Sequence, residues 1–399
     1  MPAPSPSRVR PLGSPAFLAA VCLVASLGGL LFGFDTAVIS GTVERVKQQY
    51  GLSDLLEGWF TSSALVGCIL GAAVAGMLGD RFGRKPTLLA ASVFFFVSAL
   101  YSTIPPTFTV LVIDRWVGGL GVGMASVLAP LYISEFAPPQ HRGRLGALYQ
   151  LSIVIGILLA YLSNWLILRL GQDHPMAFGG QGWGHKIFVA ECWRAMFGAE
   201  MVPCVIFFGL LLFMPESPRW LLKAGKEAQG LALLTRVSGP TVAQRELTEI
   251  QAGLAREEGS VRELFRPGLR IALLVGVMLS VFGQLSGVNI VVYYGPKILA
   301  TAGYADAAAL LGQVGFGIIN LVFTIFALLV IDRWGRRPLL IGGMAVVTVA
   351  LVVLGGLFLW GASPAGPGEA LVVSRAVGLW IGLVICVYMA CIALSICAV

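Results

Sequence analysis

The chain has 399 residues, of which 57% are hydrophobic and only 12% are charged, against about 25% charged residues in soluble domains. This composition excludes an ordinary soluble domain. The formal net charge of +7 would suit a nucleic-acid partner, but the basic residues are placed in loops between apolar blocks, so we expect no such partner.

The apolar residues form ten blocks of roughly 20 residues, the length that an α-helix needs to cross a bilayer. In chain order the blocks cover residues 16–39, 59–79, 87–104, 108–132, 146–168, 195–214, 271–294, 309–331, 338–360 and 376–399. A soluble protein of this length would instead show amphipathic helices with a period of 3.6 residues. The blocks therefore predict an all-α integral membrane protein.

The basic residues predict the orientation in the membrane. If the N-terminus is cytoplasmic, the cytoplasmic segments hold 19 of the 27 Lys and Arg residues, the outer loops hold seven, and Arg115 lies within a span. Because cytoplasmic loops carry an excess of Lys and Arg, we expect a cell-membrane protein with its N-terminus inside. Residues 1–15 are rich in Pro and Ser, and we expect a disordered cytoplasmic tail rather than a cleaved signal.

Several classes of site have no support in the sequence. The seven cysteines lie mostly inside blocks, without CxxC pairs, and we interpret them as packing residues. The chain has no Gly-rich phosphate loop ending in Lys-Ser or Lys-Thr, and no nucleophile paired with a base. We therefore expect no cofactor, no metal and no enzymatic activity.

A short motif occurs twice. DRFGRKP at 80–86 and DRWGRRP at 332–338 match in five of seven positions, and each follows the second apolar block of its half. Such a pair is typical of two halves related by an axis along the membrane normal. We predict an N-terminal six-helix bundle at 16–214, a cytoplasmic linker with short helices at 215–268, and a C-terminal bundle of four spans at 269–399. The chain ends inside an apolar block without a polar anchor, so we expect a truncated sequence rather than a natural ten-helix form.

These features resemble the major facilitator superfamily and, within it, the sugar porter family. The family's loop motif covers the repeated loop and also Gly76. Beside it, four narrower motifs carry the resemblance: GFDTAVISG at 33–41, RWVGGLGVG at 115–123, PESPRWL at 215–221 and QLSGVN at 284–289. The resemblance implies two six-helix bundles related by pseudo-twofold symmetry, of which about ten of twelve spans are present here.

A charged residue in the middle of the first block needs an explanation. An ionised Asp35 at mid-membrane costs roughly 3 kcal/mol, so it should face the bundle interior and have a partner. Arg115, in the fourth block, is the one cation in any block core, and Glu200 is a third buried candidate. The resemblance implies that these three residues couple transport to a proton; the alternative is a static structural pair. Asp114 points to another face of its helix, and we assign it no role.

Amide side chains are scarce in the blocks. Sugar hydroxyls both donate and accept hydrogen bonds, so Gln and Asn side chains beside aromatic surface suit them. The resemblance implies a sugar site formed by Gln150, Gln284, Asn289, Tyr293 and Asn320. Each amide alone could equally join two helices. Two residues depart from the family: Gly283 and Ile157 stand where relatives carry glutamines.

The charged residues of the inner loops predict a cytoplasmic gate. Pairs of opposite charge between the bundles would favour the outward-open state and break on inward opening. The gate residues are Asp80, Arg81, Gly83, Arg84, Lys85, Glu135, Arg142, Glu216, Arg219, Asp332, Arg333 and Arg336. We expect Asp332, Arg333 and Arg336 to reach Glu216. The alternative is that these charges serve only as topology signals.

The residues together predict a secondary active transporter that imports a monosaccharide, either a hexose or a pentose, with a proton by alternating access. We expect it to act as a monomer in the bilayer. The alternatives are a sugar facilitator, a polyol porter, a non-transporting sugar sensor and an inactive truncated transporter. A drug exporter is disfavoured because an apolar pocket would leave the amides unexplained.

Overall fold

The computed structural model describes residues 13–105, 107–138, 141–178, 182–256, 269–364 and 371–396. Most of the predicted tail at 1–15, the last part of the predicted linker and the final three residues therefore lie outside the described residues.

The first half consists of long helices joined by short loops. Its helices are α1 (Pro15–Tyr50), α2 (Asp54–Phe82), α3 (Arg84–Thr103), α4 (Phe108–Phe136), α5 (Arg142–Asp173), α6 (Trp193–Gly198) and α7 (Met201–Leu212). Between α5 and α6 lie a 3-10 turn, Pro175–Phe178, a helical turn, Trp183–His185, and a π-helical turn, Lys186–Ala190.

Three short helices lie between the first half and the second half. They are α8 (Pro218–Lys223), α9 (Glu227–Ser238) and α10 (Pro240–Arg256). The second half contains α11 (Leu269–Leu285), α12 (Val288–Thr301), α13 (Asp306–Trp334), α14 (Arg336–Gly361), β1 (Ala362–Pro364), β2 (Leu371–Val373) and α15 (Arg375–Ile396).

The predicted all-α membrane fold is confirmed. Within the described residues, ten helical segments are long and apolar enough to cross a membrane, and each overlaps one predicted block. The sequence did not predict the two short strands before α15, where β1 and β2 form an antiparallel pair. We call the end of the molecule where α1 ends and α2 begins the outer end, following the charge-based orientation, and the opposite end the inner end.

The sixth span is broken at Ala199–Glu200, between α6 and α7. Pro203 has no N–H to donate to the Ala199 carbonyl one turn back. The backbone tightens instead: the Glu200 N–H donates to the Phe197 carbonyl at 3.1 Å, and the Val202 N–H donates to the Ala199 carbonyl at 3.3 Å. The break places the buried Glu200 side chain, 2% exposed, at a bend inside the first half.

The seventh span is broken between α11 and α12. Gly287 adopts φ of +86°, a left-handed conformation that glycine tolerates without steric cost. The Ser286 carbonyl faces away from the helix axis and accepts a hydrogen bond from the Tyr388 hydroxyl of α15 at 3.0 Å. The QLSGVN motif therefore encodes a bend that the last helix supports.

Helices α2 and α4 pack backbone against backbone. A methyl group on Gly67 would lie 2.1 Å from the Trp116 carbonyl oxygen, and methyl groups on Gly119 and Gly123 would lie 2.1 Å from carbonyl oxygens of α2. Small residues at these positions allow close contact between helices in a bilayer.

We predict opposite effects of one added methyl group at two positions of α2. Gly67→Ala meets the α4 backbone, and overpacking of this kind costs about 1–3 kcal/mol, so the melting temperature in detergent should fall by several degrees. Gly76→Ala is the matched control because no atom lies within 4 Å of its added methyl group and alanine favours a helix. Equal stability of the two variants, measured by thermal unfolding, would contradict the packing.

Candidate functional site

A cavity of about 1010 Å³ lies between the two halves. The first half contributes α1 and α5, whereas the second half contributes α11 to α15. The residues from α1 and α5 in its wall are Phe32, Thr36, Gln150, Ile153, Val154 and Ile157. Its wall is mostly apolar with a few polar groups, as is usual for small-molecule sites.

Four of the five predicted sugar residues line this cavity: Gln150, Gln284, Asn289 and Asn320. The bend at Gly287 brings two of them together, and the Asn289 amide donates to the Gln284 side-chain oxygen at 2.7 Å. Gly283 and Ile157, which replace family glutamines, also line the cavity. Both positions at which this sequence departs from the family resemblance therefore lie in the cavity wall.

Tyr293 lies apart from the other four. Its ring packs against a buried cluster of the first half that includes Phe34, Val38 and Ile157. Its hydroxyl is within electrostatic range of Arg115 and Asp35. Tyr293 is therefore placed between the cavity and the buried charges, and outside the cavity wall.

Two buried amides were not singled out in the sequence. Gln313 of α13 donates to the Val292 carbonyl at 3.0 Å, and Asn164 of α5 donates to the Val38 carbonyl at 3.1 Å. Both tie neighbouring helices together, the alternative that applies to any amide in a membrane helix. Their presence inside apolar blocks was the available signal, but it does not distinguish a ligand contact from a helix contact.

The predicted pair between Asp35 and Arg115 is present. The Arg115 guanidinium donates to the two Asp35 carboxylate oxygens at 2.5 Å and 3.5 Å. Both residues are 3% exposed, and the Arg115 guanidinium also stacks over the Phe197 ring at 5.3 Å. Glu200 lies in the same group of charges, and its Oε1 atom has no hydrogen-bond partner.

The pair is joined mechanically to the cavity. Phe32 and Thr36 flank Asp35 along α1 and line the cavity. A methyl group on Gly33 would lie 2.0 Å from the Ile153 carbonyl oxygen, and one on Gly156 would lie 2.0 Å from the Leu30 carbonyl oxygen. Helices α1 and α5 therefore have almost no space to slide independently.

The inner loop of the first half forms a dense charge cluster. Arg84 donates to Glu135 at 2.9 Å and to Asp80 at 2.8 Å, and Lys223 of α8 reaches Asp80 at 3.1 Å. Burial raises the pKa of Glu216, and this rise is opposed by backbone N–H groups of Ser217, Lys85 and Arg84 that donate to its carboxylate.

Gly83 allows this contact. It adopts φ of +109°, and a side chain there would place Cβ 2.2 Å from the Glu216 Oε2 atom. In the repeated loop of the second half, Gly335 also has positive φ, +79°. The two copies of the motif therefore share a backbone conformation as well as a sequence.

The expected contacts of the second-half loop with Glu216 are not what the structure shows. Glu216 accepts hydrogen bonds from the backbone of Arg84 and Lys85 instead, while Arg333 and Arg336 are exposed. The side chain of Asp332 lies outside the described part of the chain. The reason is the conformation of the protein, because the described parts of the two halves meet at the outer end and not at the inner end, where these loops lie.

The remaining predicted gate residues also lie at the inner end. Arg81 stacks on the neighbouring Phe82 ring at 5.2 Å, and the Lys85 ammonium donates to the Leu212 carbonyl at 2.8 Å. Arg142 is exposed at the start of α5, and Arg219 is half-buried on α8. All of these side chains belong to the first half or to the linker.

The described ion pairs between the halves lie at the outer end. Lys297 of α12 reaches Glu57 of α2 at 2.5 Å and Glu44 of α1 at 3.8 Å. The Tyr294 hydroxyl donates to the Thr61 hydroxyl at 3.1 Å, and Arg45 lies 3.9 Å from Asp306. This set was not predicted from the sequence, since the outer-loop charges were used there only to count basic residues for the orientation.

The Glu57 carboxylate is the centre of the outer contacts. Its side chain is 4% exposed, and it accepts from Lys297 of the second half and from Lys47 of its own half at 2.7 Å. We call the contacts of Lys297, Glu57, Glu44, Tyr294 and Thr61 the outer closure. With the outer end held together, the cavity belongs to a conformation closed on that side.

The whole chain is similar to known membrane transporters. Residues 21–399 match the model of the family described as sugar (and other) transporter. The arabinose-proton symporter of Bacillus subtilis is 42% identical over 346 residues, which cover 86% of this chain and 72% of that protein. The D-xylose-proton symporter of Escherichia coli is 38% identical over 371 residues, covering 86% and 72%.

A solved structure has the same architecture. The partially occluded inward-open conformation of the xylose transporter XylE from E. coli superposes with a TM-score of 0.80 at 35% identity, covering 96% of this chain and 85% of that one. The comparisons confirm the major facilitator fold and the exclusion of an enzyme. The chain therefore belongs to the sugar transporter family of the major facilitator superfamily and is a multi-pass membrane transporter.

Proposed function

We propose that this transporter carries a monosaccharide, a pentose or a hexose, into the cell together with a proton by alternating access. The relatives named as arabinose-proton and D-xylose-proton symporters support this choice. The observation that carries it is a buried acid paired with a single arginine on a helix that also forms the wall of the cavity. In a facilitator, the same pair would serve only as a static structural contact.

The proton acts through the Asp35–Arg115 pair. Ionised Asp35 and Arg115 attract each other strongly because both are removed from water. When Asp35 takes up a proton, the charge-assisted hydrogen bonds are lost and the free energy that holds α1 against α4 falls. Because α1 and α5 are locked together through Gly33 and Gly156, a shift of α1 also moves Gln150 in the cavity.

The sugar acts through the amides of both halves. Gln150 lies on the first half, while Gln284, Asn289 and Asn320 lie on the second. A sugar that hydrogen-bonds to both sets favours states in which the halves approach each other around the cavity, and this differential affinity lets it bias the equilibrium. Sugar binding and protonation of Asp35 therefore both act on the contact of α1 and α5 with the second half.

The described conformation represents one end of the cycle. The outer closure joins the halves on the outer side, whereas the gate residues of the first half pair among themselves at the inner end. In the charge-based orientation, with the N-terminus in the cytoplasm, this is the inward-facing state. The opposite state requires Lys297 to leave Glu57, and the inner-loop charges of the two halves to approach each other.

We predict that Asp35→Asn abolishes accumulation of sugar against its gradient in proteoliposomes with an acidic exterior. The variant cannot exchange a proton at this position, so uptake should stop at the equilibrium value, while exchange of internal for external sugar continues. Asp173→Asn is the control, because that aspartate is 55% exposed at the end of α5. Accumulation by Asp35→Asn equal to that of the unaltered protein would contradict the coupling.

We predict that Asn289→Ala weakens sugar binding. One neutral hydrogen bond contributes about 0.5–1.5 kcal/mol, so the KM for the best substrate should rise about 3–10-fold. Gln244→Ala, an exposed amide of the linker, should leave KM unchanged. Competition by a panel of pentoses, hexoses and polyols identifies the substrate class, and an unchanged KM in Asn289→Ala would remove Asn289 from the site.

We predict that Lys297→Gln opens the outer end, because it removes the charge that pairs with Glu57 across the halves. The distance between spin labels at the exposed positions 48 and 308, in a background with the native cysteines replaced, should shift toward longer values. Lys47→Gln removes an equal charge from the same glutamate within one half and should cause no lengthening. Identical distributions in both variants would contradict the role of the outer closure.

A further inference from the structure

Asp114, to which the sequence analysis assigned no role, is a buried acid that the proposed coupling does not yet use. It lies in the second turn of α4, whose first residue, Phe108, packs against Tyr50 at the outer end of α1. Asp114 is 5% exposed. The Ser102 hydroxyl of α3 donates to its Oδ2 atom, and the Ser98 hydroxyl donates to its backbone carbonyl at 3.1 Å.

The buried charges around Arg115 do not balance. Asp35, Asp114 and Glu200 are each at most 5% exposed, and all three interact electrostatically with the same guanidinium. An unpaired charge in such a site costs several kcal/mol. One carboxylate balances Arg115, so the group reaches neutrality only by holding two protons. The Glu200 Oε1 atom, buried without a hydrogen-bond partner, is an independent sign that protons occupy this group.

The other neighbours of Asp114 do not supply the missing charge. Helix α3 presents the hydroxyls of Ser98 and Ser102, and α1 presents Asp35. From α6, Arg194 is engaged elsewhere, because it pairs with Glu191 and donates to the Thr103 and Pro105 carbonyls at 3.3 Å and 3.2 Å. Asp114 therefore faces one arginine, which Asp35 already binds.

The Ser98 hydroxyl contacts Asp114 and lies on the side of α4 that faces Asp35. Gly118 lies one turn after Asp114 on the same face of α4. A methyl group on Gly118 would lie 2.5 Å from the Ser98 Oγ atom and 4.0 Å from the Asp35 Oδ1 atom. Because Gly118 has no side chain, none stands between the Ser98 hydroxyl and Asp35 at this point, while the same hydroxyl donates to the Asp114 backbone carbonyl.

We propose that Asp114 is a second proton site, which holds a proton on the outer side of Asp35 and passes it to Asp35 through the Ser98 hydroxyl. For the transfer, the Ser98 hydroxyl turns from the Asp114 backbone carbonyl toward Asp35. The Asp114 carboxyl then gives its proton to the Ser98 oxygen as the hydroxyl proton of Ser98 goes to the Asp35 carboxylate. Asp35 becomes neutral and releases Arg115, whose charge then balances ionised Asp114. A proton from the outer side restores Asp114. This inference rests on the proposed proton coupling.

The test compares two transport modes in proteoliposomes. Asp114→Asn should slow sugar uptake driven by a pH gradient about a hundredfold, the low end of what a positioned proton donor contributes. Sugar counterflow, which needs no net proton movement, should remain at the rate of the unaltered protein. Asp114→Glu should recover part of the gradient-driven rate, whereas a residue that only supports the fold would lose both modes together.

Ser98→Ala provides a second, independent variant. It removes the bridging hydroxyl and should slow gradient-driven uptake selectively, whereas Ser92→Ala should not. Ser92 is the matched control because it is buried on the same helix and bonds only to the Leu89 carbonyl of that helix.

The outcomes separate this inference from the proposed function. If the unaltered protein accumulates sugar and Asp35→Asn does not, the proposed coupling stands. If Asp114→Asn and Ser98→Ala then take up sugar at the unaltered rate under a pH gradient, only the second proton site is overturned. Equal loss of counterflow and gradient-driven uptake in both variants would also overturn it. If sugar uptake by the unaltered protein does not depend on pH, the coupling and the second site are both overturned.

Discussion

The proposed transport cycle depends on one ion pair buried inside the first half. Removal of Asp35 and Arg115 from water costs several kcal/mol for each ion, and only their mutual contact offsets this cost. Loss of either charge therefore leaves the other uncompensated, so a single proton on Asp35 has a large effect. Because the residues that flank Asp35 on α1 line the cavity, protonation of Asp35 would act directly on the wall of the proposed substrate site.

Two interruptions of helices place polar groups where the coupling needs them. In a bilayer, irregular backbone is tolerated only where protein or a polar cavity satisfies it. Pro203 bends the sixth span beside Glu200, while Gly287 bends the seventh span beside Asn289. The bend of the sixth span lies beside the buried charges, and the bend of the seventh span lies beside the cavity. The two bends together explain how the proposed proton site and the proposed sugar site lie close to each other without sharing a residue.

The sequence predicted the elements that depend on local composition. The spans followed from apolar block length, and the contact between Asp35 and Arg115 followed from the scarcity of charges in block cores. The outer closure could not be predicted, because pairing of Lys297 with Glu57 depends on how the two halves are arranged in one conformation. The contacts of Asp114 could not be predicted either, because helix periodicity separates it from Arg115 but does not reveal the hydroxyls of α3.

The most direct measurement of the central claim is electrical. Purified protein in liposomes adsorbed to a supported membrane receives a jump in sugar concentration at equal pH on both sides and without any other gradient. If a proton accompanies each neutral sugar, the jump produces an inward positive current and acidifies the liposome interior. Sugar entry that produces neither current nor acidification would contradict the account, because Asp35 would then carry no proton during transport.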